Sequence, residues 1–147
     1  MATALFVCLH NAGRSQMSAA LLERASGGRH RGLSAGSEAD PNGHVHPPVV
    51  EVMRELGIDI ARHRSKTFDT LADTSFDLVV TLSPEAHHRA LEMTRVMACD
   101  VEYWPIFDPT IIEGSRDARL AAYRDVRDTL IRRIQARFPG VPAPESD

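Results

Sequence analysis

Two residues with complementary chemistry, Cys8 and Arg14, follow the first apolar run of the chain with five residues between them. The backbone N–H groups of so short a polar segment can turn inward and form a binding site for an anion. The planar guanidinium of Arg14 can hold two oxygens of a tetrahedral anion. Cys8 lies in the same positive field, which favours the nucleophilic thiolate. The spacing therefore predicts a cysteine nucleophile beneath a bound oxyanion.

The whole segment between these residues is predicted to bind substrate. The predicted binding residues are Leu9, His10, Asn11, Ala12, Gly13 and Arg14. Ser15 is placed to hydrogen-bond the thiolate, and Asn11 is a residue type that tolerates the left-handed conformation. The alternative is that Cys8 is a small buried residue ending a strand. The arginine, serine and glycine at these spacings favour the catalytic interpretation.

A candidate proton donor, Asp108, lies in a polar stretch after the last predicted strand. A nucleophile that expels an oxygen leaving group is helped by an acid on the opposite side. The simpler alternative is an aspartate that caps a turn before Pro109. We favour the acid because Cys8 requires such a partner.

Short apolar runs, typical of buried strands, alternate with segments of helical periodicity. This alternation indicates the α/β class, with an open parallel sheet and helices on both faces. The predicted strands cover residues 4–7, 31–35, 76–82 and 101–104. The helix after the second strand is expected to bury Val49, Val52, Met53 and Leu56. The loops after Val7, Ala35 and Trp104 should then meet at the carboxyl edge of the sheet, where such folds place their sites.

Composition limits the remaining possibilities. The chain has 147 residues, 16.2 kDa and a net charge of -3, which predicts one domain over residues 1–138, a disordered tail over 139–147, and no nucleic-acid partner. No segment predicts a signal peptide or a membrane span, so a cytoplasmic protein is expected. We also expect a monomer or weak dimer. Two cysteines exclude a disulfide scaffold. No metal site is predicted, because the pairs His44/His46 and His87/His88 lack a third ligand. Both pairs are interpreted as exposed polar residues.

The chain resembles the low-molecular-weight protein tyrosine phosphatase superfamily, which includes arsenate reductases of the same fold. The resemblance covers nearly the whole chain and rests on the motif at residues 8–15, on residues 34–36, 57–59 and 65–66, on the strand ending at Leu82 and on Asp108-Pro109. It implies a flavodoxin-like three-layer sandwich with a four-stranded parallel sheet. It also implies roles for single residues: Cys8 as nucleophile, Arg14 as clamp, Ser15 as thiolate stabiliser, Asn11 as organiser of the loop and Asp108 as general acid.

Within this superfamily, residues 10–17 resemble the arsenate reductase version of the loop, and Thr110 stands where the phosphatases carry an aromatic residue. The loop after the third strand, residues 83–89, lacks the cysteines through which thioredoxin-coupled reductases relay oxidation. We therefore predict an arsenate reductase without a tightly bound cofactor, completed by an external thiol such as glutathione, mycothiol or a glutaredoxin-like protein. The alternatives are a phosphatase acting on phosphotyrosine or small phosphate monoesters, and an oxyanion sensor without turnover. Cys99 is interpreted as a packing residue, with a resolving thiol as the alternative.

Overall fold

Four parallel strands form one sheet at the centre of the molecule, in the order β2-β1-β3-β4. The computed structural model describes residues 2–11, 13–38, 43–67, 71, 75–95 and 99–138. The strands are β1 (Thr3–Cys8), β2 (Arg31–Gly36), β3 (Leu78–Thr81) and β4 (Asp100–Tyr103). The chain order reverses between β1 and β3, and doubly wound sheets bind ligands outside the carboxyl ends of strands at such a point.

The helices lie on both faces of this sheet. They are α1 (Arg14–Ala25), α2 (Pro47–Arg54), α3 (Pro84–Met93) and α4 (Arg116–Arg137), and a short 3-10 turn covers Pro109–Ile111. Strand β1 is buried on both sides, since Ala4 and Phe6 belong to the core shared with α1, α2 and α4, whereas Leu5 and Val7 belong to the core under α3. The arrangement confirms the predicted flavodoxin-like sandwich.

Local signals in the sequence explain where several helices begin. Ser83 caps α3 by accepting a hydrogen bond from Ala86 N at 3.2 Å, and Pro84 occupies the first helical turn. Ser115 caps α4 in the same way through Ala118 N. Gly13 precedes α1 without a side-chain cap, so the first N–H groups of α1 remain available to an anion.

Two expectations about local structure are wrong. The helix after β2 ends at Arg54, and Leu56 lies in the turn that follows, 37% exposed, because Gly57 with φ of 75° bends the chain away from the core. The third strand is shorter than predicted, since only Leu78–Thr81 pair with both neighbours. The predicted tail, residues 139–147, lies outside the described residues.

Candidate active site

Cys8 lies at the carboxyl end of β1 and is 3% exposed. Its Sγ is 3.0 Å from Ser15 Oγ, and Asn11 Nδ2 donates to the same hydroxyl oxygen at 2.8 Å. While the serine oxygen accepts from the amide, its own proton can be donated to the sulfur. The structure thus brings three predicted residues together in one buried hydrogen-bonded network.

Asn11 has a left-handed backbone, with φ of 53°, and its side chain is fully buried. Its Oδ1 accepts a hydrogen bond from Lys66 N at 3.0 Å, while its Nδ2 holds Ser15. Both ends of the amide are therefore used to fix a conformation that most residues would find costly.

The loop of residues 8–15, here called the oxyanion loop, is braced by a segment distant in sequence. Ser65 donates its hydroxyl proton to the carbonyl oxygen of His10, and Gln16 Nε2 lies 3.5 Å from the carbonyl oxygen of Arg64. Lys66 O accepts from Gly36 N at 2.7 Å, so the bracing segment is itself joined to β2. Ala12 lies outside the described residues.

Gly36 packs directly against the backbone of the oxyanion loop. A Cβ at this position would lie 2.8 Å from the carbonyl carbon of His10 and 2.9 Å from Asn11 N. Both distances are shorter than a carbon contact permits. Only glycine therefore allows β2 to approach the loop this closely.

The guanidinium of Arg14 is oriented by the ends of two neighbouring segments. Its Nη1 donates to Ile106 O at 3.0 Å and lies 3.4 Å from Leu82 O. Within the part of the chain that the structure describes, neither Nε nor Nη2 makes a hydrogen bond to the protein. One edge of the fork is thus anchored by the protein, and the other N–H groups can bind two oxygens of an anion.

Asp108 faces the same pocket from the loop after β4. Its Oδ1 accepts hydrogen bonds from Thr110 N at 3.0 Å and from Thr110 Oγ1 at 2.6 Å. Burial by itself would raise the pKa of this carboxyl, but the hydrogen bonds from Thr110 and the charges of Arg14 and His46 outweigh burial and lower the pKa. Asp108 is consequently a carboxylate in the resting protein at neutral pH.

A pocket of about 70 Å³ joins these groups. It is lined by predicted residues, namely Cys8, Leu9, His10, Gly13, Arg14 and Asp108, and by residues that were not predicted, namely Met17, His46, Pro109, Thr110 and Tyr123. Small-molecule sites usually have roughly 300–1,000 Å³. The pocket therefore suits a small tetrahedral ion.

His46 is a correction to the sequence analysis, which interpreted it as an exposed polar residue. It is partly buried before the first turn of α2 and lines the pocket, whereas His44 is exposed and contacts Arg64. Its position beside a Pro-Pro pair that starts a helix was visible in the sequence, but the fold alone brings that helix to the pocket. Among the described residues, no group of three or more His, Cys, Asp or Glu side chains could hold a metal ion.

Comparison with known proteins matches residues 3–138 to the low molecular weight phosphotyrosine protein phosphatase family. The chain belongs to this family. Its relatives include the arsenate reductase of Halalkalibacterium halodurans, 34% identical with 88% of this chain and 90% of the relative covered. The arsenate reductase of Bacillus subtilis strain 168 is 32% identical, with 88% and 90% covered. These relatives confirm the predicted placement in the arsenate reductase-like branch.

Solved structures agree with this placement. An arsenate reductase in the phosphate binding state superposes with a TM-score of 0.71 at 25% identity, covering 97% of this chain and 100% of that chain. A low molecular weight protein tyrosine phosphatase from T. tengcongensis gives a TM-score of 0.76 at 24% identity, with 91% and 95% covered, and supports the fold. As a member of this family, the protein is an enzyme.

The second cysteine of this family member lies far from the first. Cys99 precedes β4 and packs against the core under α3, whereas Cys8 ends β1 and belongs to the core on the other face. Strand geometry separates them by roughly 17 Å along the sheet and about 10 Å across it. A disulfide requires Cα atoms within about 7 Å. The two cysteines of this chain therefore cannot pair in this fold.

The environment of Cys99 also disfavours a reactive thiolate. Burial raises the pKa of its thiol, and the neighbouring charge of Asp100 raises it further. A thiol of raised pKa is a weak nucleophile at neutral pH. The position and the chemistry of Cys99 agree with packing.

Within the described residues, no helix is long and apolar enough to cross a membrane.

Proposed function

We propose that this protein is an arsenate reductase in which Cys8 attacks arsenate and an external thiol completes the reduction. The observation that supports it best is a pocket of about 70 Å³ with the Cys8 thiol and the Arg14 guanidinium in its lining. The arsenate reductase relatives, at 32–34% identity, support the same substrate. In this proposal Leu9, His10, Ala12 and Gly13 complete the binding loop around the ion.

The first step forms a bond between Cys8 and arsenic. The Cys8 thiolate attacks arsenic, one As–O bond breaks, and the departing oxygen leaves as water after taking up a proton. Arg14 and the N-terminus of α1 neutralise the charge of the remaining oxygens. Asp108 handles the proton of the departing oxygen, accepting it from an acidic hydroxyl of arsenate and returning it where the As–O bond breaks.

The second step requires an electron donor from outside the chain, because Cys99 cannot reach Cys8. The thiolate of an external thiol attacks Cys8 Sγ, and the S–As electron pair passes to arsenic, which leaves as arsenite. Arsenic is reduced by two electrons while Cys8 and the external thiol become a mixed disulfide. A second external thiol then releases the Cys8 thiolate and a free disulfide. Glutathione, mycothiol and a glutaredoxin-like protein are the donors we propose to test.

Hydrolysis of phosphate monoesters is the alternative function, since arsenate and phosphate have the same shape and charge. The family match to phosphotyrosine protein phosphatases favours it. Cys8 would form a phosphocysteine, and Asp108 would protonate the departing ester oxygen. Asp108 is held as a carboxylate, however, which is the wrong form for that acid.

A paired assay tests the proposal. Arsenite formation would be measured with glutathione, with mycothiol and with each thiol plus a glutaredoxin, beside hydrolysis of an aryl phosphate. We expect arsenite formation with at least one donor and weaker ester hydrolysis. Cys8→Ser should lower both activities by about 10³-fold or more, since it removes the nucleophile.

Cys99→Ser is the matched control, because it makes the same change at the other cysteine. Its arsenite formation should stay within about twofold of wild type, in line with a packing role far from the pocket. Efficient ester hydrolysis without arsenite formation by any donor would refute the reductase proposal. Loss of reduction in Cys99→Ser would refute the external route.

A further inference from the structure

Among the residues that the structure describes, the side chain of the proton-handling residue Asp108 accepts hydrogen bonds from one neighbour, Thr110. Thr110 donates twice to Asp108 Oδ1, through its backbone N–H at 3.0 Å and its hydroxyl at 2.6 Å. Asp108 also precedes the 3-10 turn Pro109–Ile111 and acts as its cap. Both bonds require an accepting oxygen, which a carboxylate offers at either position and a carboxylic acid offers at only one.

The other groups around Asp108 act in the same direction. Arg14 faces it from the start of α1 and His46 from the start of α2, and both charges favour the ionised carboxyl. Tyr123 faces it from α4, where burial and then the negative charge of Asp108 raise the pKa of the phenol. Cys8 completes the set from β1. The Thr110 hydroxyl, which bonds Asp108 directly, can be removed without changing a charge.

We propose that Thr110 is a positioning residue that holds Asp108 in its ionised form and thereby favours arsenate over phosphate esters as the substrate. The inference rests on the proposed function, because it explains which oxyanion the shared loop turns over. Thr110 acts through Asp108, and its hydroxyl is the part of the side chain that makes the contact.

The two substrates differ in where the proton of the leaving group comes from. A phosphate monoester departs as an alkoxide or phenolate, and the protein must supply the proton from a protonated Asp108. Arsenate bears acidic hydroxyl groups of its own at neutral pH, so a carboxylate can accept a proton from one oxygen and return it to another. A carboxylate locked by Thr110 serves the second reaction and hinders the first.

Two substitutions separate the hydroxyl from the rest of the side chain. Thr110→Val removes the hydroxyl and keeps the shape and the backbone N–H, whereas Thr110→Ser keeps the hydroxyl. We expect the Asp108 carboxyl, titrated by ¹³C NMR of the protein, to shift its pKa upward by about one unit in Thr110→Val, which corresponds to a tenfold change in the protonated fraction. Thr110→Ser should titrate like wild type. An unchanged Asp108 titration in Thr110→Val would overturn the proposal.

Activity provides the second readout. In Thr110→Val, kcat/KM for aryl phosphate at pH 7 should rise about tenfold relative to kcat/KM for arsenate, and the alkaline limb of the ester profile should move to higher pH. Thr110→Ser should restore the wild-type ratio. Thr94→Val, which removes a hydroxyl bonded to Ala90 O at the end of α3, should leave the ratio unchanged.

The failures of the two proposals are distinguishable. Absence of arsenite formation in wild type refutes the reductase and leaves the Asp108 titration to decide whether Thr110 holds the carboxylate. A raised Asp108 pKa in Thr110→Val with no change in the ratio of the two activities overturns the role in substrate choice. That role is also overturned if Thr110→Ser behaves like Thr110→Val, because the serine keeps the hydroxyl.

Discussion

The two sides of the pocket are held by different kinds of contact. The oxyanion loop is fixed by partners far along the chain, since Ser65 and Lys66 hold its backbone and Asn11, and Ile106 holds Arg14. Asp108, on the opposite side, is fixed by Thr110, two residues away. The first side therefore depends on the whole fold, whereas the second depends on one local turn.

The difference follows from what each side does. A nucleophile needs a fixed attack geometry and a buried, polar environment, which only tertiary contacts provide. A group that accepts and returns protons must follow the substrate oxygens as the bond to one of them breaks. The turn that carries Asp108 lies at the surface, since Phe107 and Ile111 are 52% and 64% exposed. We expect substitutions on the first side to affect stability and activity together, and substitutions on the second side to affect activity alone.

Among the substitutions that test this difference, Gly36→Ala should have the largest effect, because it forces apart β2 and the oxyanion loop. The new Cβ would overlap backbone atoms of His10 and Asn11, so a flexible side chain cannot relieve the contact. We expect a loss of about 1–3 kcal/mol in the free energy of unfolding and about a 10²-fold loss of arsenite formation. Urea denaturation and steady-state kinetics measure the two effects.

Gly28→Ala is the matched control for this substitution. Gly28 has φ of 82° in the turn after α1, and a Cβ there would meet no atom within 4 Å. Backbone strain should lower its stability by about 1 kcal/mol without a loss of activity. Equal loss of activity in both variants would contradict the close packing of β2 on the loop.

The oxyanion-loop side of the pocket was largely predictable from the sequence, because its chemistry is concentrated in one short segment. Cys8, Asn11, Gly13, Arg14 and Ser15 stand between a buried strand and a helix, and local rules suffice to bring them together. Their placements agree with the sequence analysis, while their catalytic roles stay proposals. The alternation of strands and helices likewise predicted the sheet.

The contacts that hold this loop were not predictable in the same way. Neither Ser65 nor Lys66 belongs to a local motif that points to residues 10 and 11, more than fifty positions earlier. His46 and Tyr123 reach the pocket from two different helices, and periodicity cannot state how those helices are rotated about the site. The prediction for Leu56 was wrong for a related reason. Leu56 continues the apolar periodicity of α2, but the helix ends at Arg54 and a turn containing Gly57 follows.

His46→Asn tests the locally held side with an intermediate effect. His46 lines the pocket and its charge acts on Asp108, while asparagine still suits the position before the first turn of a helix. We expect the KM for arsenate to rise about fivefold, on the order of 1 kcal/mol, with an unchanged free energy of unfolding. His44→Asn, two residues earlier and outside the pocket lining, is the control and should change neither quantity. A loss of stability in His46→Asn would show that His46 also holds the fold, as the residues on the oxyanion-loop side do.

Glu55→Gln should have the smallest effect. It tests whether the contact between α2 and α4, next to the Asp108 side of the pocket, depends on charge. Glu55, after α2, bonds Arg124 and Arg127 of α4, so it joins the helix that follows His46 to the helix that carries Tyr123. The hydrogen bond from Arg124 is the main cause that lowers the pKa of Glu55, against an opposing contribution from burial. Its contribution to stability is therefore present above the unfolded-state pKa and lost as the pH falls through the folded-state pKa.

The two proteins should accordingly differ in stability at neutral pH and converge in acid. The pair with Arg124 is partly exposed, whereas Arg127 is buried and keeps bonds to Asp128 and to Val52 O. Glu55→Gln should therefore lower the free energy of unfolding at pH 7 by about 1 kcal/mol. Arsenite formation should remain within about twofold of wild type, because α2 and α4 also share a packed core. Urea denaturation of both proteins between pH 3 and pH 7 measures the difference. A difference that persists at the acid end would show that Glu55 holds these helices by shape and not by charge. The Asp108 side of the pocket would then depend on tertiary packing, as the oxyanion-loop side does.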